Sequence, residues 1–120
     1  MKILIVDDLA EYVYSLSRAL GPEGQVTTAS SLEEAKSKID SETAVALVDI
    51  RLSEDDPGNR DGILLLGWIR DHFPSTKVLL MSAYRDYDAA VNALNLGAAG
   101  YLRKPVNIRD LKVRISELTK

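Results

Sequence analysis

The sequence predicts an α/β fold, a doubly wound parallel sheet of five strands with helices on both faces. Three observations lead there. Short apolar or β-branched runs alternate with stretches of helical periodicity five times along the 120 residues. Three of the runs, ILIV (3–6), AVALV (44–48) and VLLM (78–81), are continuously apolar, as strands buried on both faces must be. A helix-length segment follows each run, which implies right-handed crossovers and parallel strands.

The elements follow in order. After the strand at 3–6, Val13, Leu16 and Leu20 lie at helical spacing, and Gly21-Pro22 closes that helix. Residues 25–29 (QVTTA) read as a weaker, more polar strand. Ser30 or Ser31 then caps a helix carrying Leu32, Ala35 and Ile39, with Glu33 and Glu34 in its first turn. The strand at 44–48 leads into the long loop SEDDPGNRDG (53–62). Gly62 opens a helix with Leu65, Leu66 and Ile69 that stops before Pro74. The strand at 78–81 precedes a helix from Asp86 to Leu96, ended by Gly97. Residues 100–103 form a short last strand, and Asn107 caps a final helix with Ile108, Leu111, Ile115 and Leu118 on one face. The apolar strands belong at the centre and the polar second strand at an edge. Strand order 2-1-3-4-5 meets both demands.

Composition narrows the function. The chain suits one domain over residues 1–120. It has no cysteine, which excludes a disulfide framework, zinc-finger spacing and a thiol nucleophile, and fits a reducing cytoplasm. The net charge of −3 with no basic stripe argues against direct nucleic-acid binding. The apolar runs are far shorter than the ~20 residues that span a bilayer, and MKILIVDD has neither the length nor the cleavage site of a signal peptide.

Parallel strands all end on one edge of the sheet, where ligands bind near the switch in strand order. Asp7 and Asp8 follow the first strand, Asp49 the third, Ser82 the fourth, and Lys104-Pro105 come just after the fifth. Three carboxylates brought together repel one another unless one is protonated or a cation sits among them. A hard divalent ion with oxygen ligands suits such a site, and Mg2+ typically takes one or two carboxylates, waters and a phosphate oxygen. No nucleotide-cradling loop accompanies the acids. The set therefore points to transfer of a small phosphoryl group, with Asp49 as the carboxylate nucleophile. Mg2+, Lys104 and Ser82 would each stabilise one phosphoryl oxygen.

At this point the sequence resembles the receiver domain of two-component response regulators, CheY-like in fold. The motifs are IVDD (5–8), LVDIRL (47–52), DG (61–62), LMSA (80–83) and GAAGYLRKP (97–105). They fall in order along nearly the whole chain. The resemblance implies the flavodoxin-like three-layer sandwich with order 2-1-3-4-5. It also implies that Asp49 is the phosphoacceptor, and that Asp8 and Asp49 bind Mg2+ directly. Asp7 would act through water, and the backbone carbonyl of Arg51 would be a further ligand. Ser82 would be the switch hydroxyl, Tyr101 the switch aromatic and Lys104 the phosphoryl contact, with a cis Lys104–Pro105 bond.

The implied partners are a sensor histidine kinase or phosphotransfer protein, and an output domain or second copy on the face of helix 4, strand 5 and helix 5. LMSAYRDYDAAVNAL (80–94) resembles receivers attached to NtrC-type activators or hybrid kinases, and the chain stops just after helix 5, where receivers often join an output domain. Two features depart from the family pattern. The 49–62 segment is longer than usual, and Ser53 stands where a proline is common. Arg51 and Tyr84 occupy positions that tune autodephosphorylation, and two large side chains there imply a long-lived phosphoryl state.

Other readings fit less well. A receiver-like module that is never phosphorylated would not need this complete set of acids, Ser82 and Lys104. A phosphatase with an aspartyl intermediate needs a second acid where Arg51 stands. A flavin carrier would not place two aspartates beside the flavin phosphate. Asp55, Asp56, Asn59 and Asp61 hint at calcium, but Pro57 and Trp68 stand where an EF-hand needs ligands. Gly97–Gly100 follows a helix instead of opening one, so it is no phosphate loop. Trp68 is expected to pack on the sheet or a neighbouring helix, and His72 to close its own helix.

Overall fold

The computed structural model describes residues 1–53, 55–82 and 87–120, with backbone alone for residues 87, 89 and 90. The elements are β1 (Lys2–Val6), α1 (Ala10–Leu20), β2 (Gln25–Ala29), α2 (Leu32–Lys38), β3 (Thr43–Asp49), α3 (Asp61–His72), β4 (Lys77–Ser82), α4 (Tyr87–Asn95), β5 (Gly100–Arg103) and α5 (Ile108–Leu118), with a 3-10 turn at Gly21–Glu23 after α1. All strand pairs are parallel, and the sheet order is β2-β1-β3-β4-β5, as the apolar patterning requires.

Strand pleating sorts the apolar runs onto two faces. Leu4, Val6, Ala46, Val48, Val78 and Leu80 point one way and pack with Leu65, Leu66 and Ile69 of α3, Ala35 of α2 and Ala93 of α4. Ile3, Ile5, Val45, Leu47, Leu79 and Met81 point the other way, onto Leu16 and Leu20 of α1 and Leu111 and Ile115 of α5. Burying each Leu or Ile contributes about 1.5–3 kcal/mol, so the two layers hold the sheet between them and fix its C-terminal edge.

Most element ends agree with the sequence reading, and the exceptions have local causes. Ser31, not Ser30, caps α2: its Oγ accepts from the Glu34 N–H at 3.1 Å. Ile39 lies past that helix with extended backbone, yet it is buried against the same core. Helix α3 opens at Asp61, one residue before Gly62. The expected start of α4 at Asp86 lies outside the described residues. Gly97 stops α4 with a φ of +104°, a left-handed conformation that favours glycine. Asn107 caps α5 by accepting from the Asp110 N–H at 3.0 Å. Strands β3 and β4 run one residue further than expected, so Asp49 and Ser82 are their last residues. The sheet itself therefore holds both side chains.

Trp68 stacks on His72, with ring centroids 4.4 Å apart, and Lys36 of α2 sits 5.6 Å from its ring centre. His72 Nδ1 lies 2.9 Å from the Trp68 carbonyl oxygen, so that nitrogen carries the proton. No helix among the described residues is long and apolar enough to cross a membrane.

Candidate functional site

The C-terminal edge of the sheet gathers the expected residues. One carboxylate oxygen from each of Asp7, Asp8 and Asp49 lies within 4.8 Å of the others. Asp7 and Asp49 are buried and Asp8 is half-buried. Asp7 ties its surroundings together: its Oδ1 accepts from the Leu9 N–H at 3.0 Å, just before α1, and its Oδ2 accepts from Lys104 Nζ at 2.7 Å. Lys104 Nζ also lies 3.2 Å from Asp49 Oδ2. The Lys104–Pro105 peptide is cis, as expected. The Lys104 N–H donates to the Ser82 carbonyl at 2.9 Å, which anchors the end of β5 to the end of β4.

Asp49 sits at an electrostatic cost. Burial, with the charge of Asp7 next and Asp8 adding less, pushes its pKa up to about 7, although Lys104 pulls the other way. Burial works against the Lys104 ammonium, but the bond it donates to Asp7 and the charges of Asp49 and Asp7 outweigh it, so its pKa lies above the usual lysine value. Three carboxylates that each bring an oxygen within 4.8 Å of the others form an oxygen-only donor set that fits a hard divalent cation such as Mg2+.

Ser82 Oγ donates to the Tyr101 hydroxyl at 3.0 Å. The two expected switch residues are therefore in contact, with Tyr101 half-buried against the α3 and α4 side of the core. Arg51 stands two residues past Asp49 and is half-buried. Tyr84 lies outside the described residues.

The response regulator receiver domain family matches residues 3–116 of this sequence. The chain belongs to that family. The DNA-binding transcriptional regulator NtrC of Proteus hauseri is 36 % identical over 110 residues, which cover 90 % of this chain and 22 % of the relative. This receiver domain thus spans less than a quarter of that relative's length. Among solved structures, a response regulator receiver domain protein from Clostridium thermocellum superimposes with a TM-score of 0.86 at 30 % identity, over 98 % of this chain and 93 % of the other. A response regulator protein from Burkholderia pseudomallei with a phosphorylated aspartic acid, calcium ion and citrate gives a TM-score of 0.80 at 28 % identity, over 98 % and 69 %. The chain is accordingly a receiver domain of two-component signalling.

Four residues of this receiver domain have contacts that the sequence reading did not assign. Gly62 was placed at the start of α3, but its reason is contact: a Cβ there would lie 2.0 Å from the Asp49 carbonyl oxygen. Asn59, weighed as a calcium ligand, is a loop clamp. Its Oδ1 accepts from the N–H of Leu52 at 2.9 Å and of Asp61 at 3.0 Å, closing the base of the long loop. Asp56, which is exposed, accepts from the Gly58 N–H at 2.9 Å, a local turn within the loop. Tyr12 was missed entirely. Its ring centre lies 4.7 Å from Lys104 Nζ, and its hydroxyl accepts from the Val106 N–H at 3.1 Å. Residues 12, 16 and 20 form an i, i+4, i+8 stripe on α1, and Tyr12 is its member nearest the strand ends. That spacing was the available signal.

Proposed function

We propose that residues 1–120 act as one phosphoacceptor domain of a two-component phosphorelay, with Asp49 carrying the phosphoryl group. The observation that carries this reading is the placement of Asp49: a buried carboxylate among two further acids and one ammonium, at the edge where the parallel strands end. The phosphorylated aspartic acid of the Burkholderia relative supports it.

Asp8 and Asp49 would hold Mg2+ directly, Asp7 through water, and the Arg51 carbonyl would complete the protein ligands. Mg2+ supplies charge neutralisation to the transferring group. A carboxylate oxygen of Asp49 attacks phosphorus of a phosphohistidine on a sensor kinase or phosphotransfer protein. The new P–O bond forms as the P–N bond breaks, and the electron pair stays on the imidazole nitrogen. Lys104 and Ser82 each stabilise a phosphoryl oxygen. The domain assists its own phosphorylation and dephosphorylation and is not a turnover enzyme.

A phosphoryl oxygen would take the single Ser82 proton, so the Ser82–Tyr101 bond would either reverse, with the Tyr101 hydroxyl donating, or break. Either change would bias Tyr101 between two positions, a population shift set by differential affinity. The readout would be the α4–β5–α5 face, where Val91, Leu94 and Val113 are exposed. An output domain or a second copy would cover it, and the cytoplasm is the compartment this role requires.

Incubation with acetyl phosphate tests the reading by intact mass. The expected result is a gain of one phosphoryl group with Mg2+ and none with a chelator. No gain in either condition, from a folded protein, would favour a receiver-like interaction module that is never phosphorylated.

A further inference from the structure

We infer that Tyr12 is a positioning residue for Lys104, holding the ammonium with its ring and the loop behind it with its hydroxyl. The inference rests on the reading above, in which Lys104 contacts the transferring phosphoryl group.

Two separate contacts support it. The ring centre at 4.7 Å from Lys104 Nζ is within the range in which an aromatic face attracts a cation. The bond from Val106 N–H at 3.1 Å has ordinary geometry and grips the backbone two residues beyond Lys104, across the Pro105 turn. One side chain thus holds both ends of the segment that aims the lysine. Tyr12 is itself placed by the site. Asp7 Oδ1 fixes Leu9 at the entry to α1, and Tyr12 stands in the first turn of that helix. The path from Asp7 through α1 and Tyr12 to Lys104 returns to Asp7 Oδ2, a closed circuit of short contacts.

The choice of a ring has a chemical consequence. An ammonium has three N–H donors. Asp7 and Asp49 each face one. A third carboxylate would take the last. An aromatic face attracts the charge through its quadrupole without fixing a donor. Lys104 is thereby steadied while one N–H stays available to a phosphoryl oxygen. Burial, against a weaker pull from the Val106 bond and Lys104, keeps the Tyr12 phenol above its ordinary pKa, so it stays neutral near pH 7. A leucine at position 12 would fill similar space and offer neither contact, and a phenylalanine only the first.

The test is a double-mutant cycle on the limiting rate of phosphorylation by acetyl phosphate with Mg2+. It compares wild type, Tyr12→Leu, Tyr12→Phe, Lys104→Ala and the two double variants. Tyr12→Leu is expected to slow the reaction roughly five- to tenfold and Tyr12→Phe roughly two- to threefold. In the Lys104→Ala background neither substitution should slow it further, because their effect runs through the lysine. Should Tyr12→Leu not fold, Tyr12→Phe keeps the ring and the core volume, and its smaller loss must likewise vanish without Lys104. Wild-type rates in the Tyr12 variants, or the same fold-loss with and without Lys104, would overturn the inference and leave the function reading intact. A wild-type domain that takes up no phosphoryl group, or a Lys104→Ala variant as fast as wild type, would overturn both.

Discussion

Gly62→Ala is expected to destabilise the domain by about 2–4 kcal/mol, although alanine is the better helix former. Position 62 is the second residue of α3, so helix propensity alone predicts a gain of up to about 1 kcal/mol. Packing predicts the opposite. The added methyl would meet the Asp49 carbonyl oxygen at 2.0 Å and Ile50 Cα at 2.7 Å. Both are backbone atoms, and neither has a rotamer with which to move aside. The Gly62 N–H also donates to the Ile50 carbonyl at 2.9 Å, so backing α3 away breaks that bond too. Thermal unfolding checks this: a fall of roughly 10 °C is expected. Phosphorylation should slow as well, since the displaced atoms carry Asp49. A melting temperature equal to or above wild type would show that α3 does not press on the acceptor strand as described.

Asp49→Asn is expected to stabilise the metal-free domain, and more so as pH rises. The folded-state pKa of Asp49 is about 7, against an ordinary value of 3.8. The folded state therefore holds a proton that the unfolded state has released between those values. Stability is fully present below about pH 4 and is lost as pH rises through 7. At roughly 1.4 kcal/mol per unit, the penalty above pH 7 is on the order of 2–4 kcal/mol. The side chain is only 9 % exposed, so solvent screening relieves little of it. Asparagine carries no charge and escapes the penalty. Denaturant unfolding of both proteins in the presence of a chelator should show a gap that widens between pH 5 and pH 8. A gap independent of pH would mean that Asp49 is not the group under strain.

The sheet was legible because its central strands are buried on both faces. ILIV, AVALV and VLLM need no alternation, and the polar QVTTA could only stand at the edge. Strand order then followed, and with it the convergence of Asp7, Asp8, Asp49, Ser82 and Lys104. What pattern alone could not supply were contacts made across elements. The grip of Lys104 on Asp7, 97 residues away, depends on where the Pro105 turn places the chain. Asn59 was set aside with the rejected calcium pattern and given no other role; only the folded loop shows its oxygen turned onto Leu52 and Asp61. Tyr12 was not singled out in the sequence, because its contacts to Lys104 and Val106 cross from α1 to the chain beyond β5. Ile39 kept its place in the core while leaving the helix, because burial and helix period are separate demands.

The claim that Asp49 receives the phosphoryl group is tested most directly by comparing wild type with Asp49→Asn. Both proteins would be incubated with acetyl phosphate and Mg2+ and examined by intact mass followed by peptide mapping. The expected result is one added phosphoryl group in the wild type, on the peptide containing residue 49, and none in Asp49→Asn. A phosphoryl group that persists in Asp49→Asn, or maps to another peptide, would contradict the assignment of the acceptor.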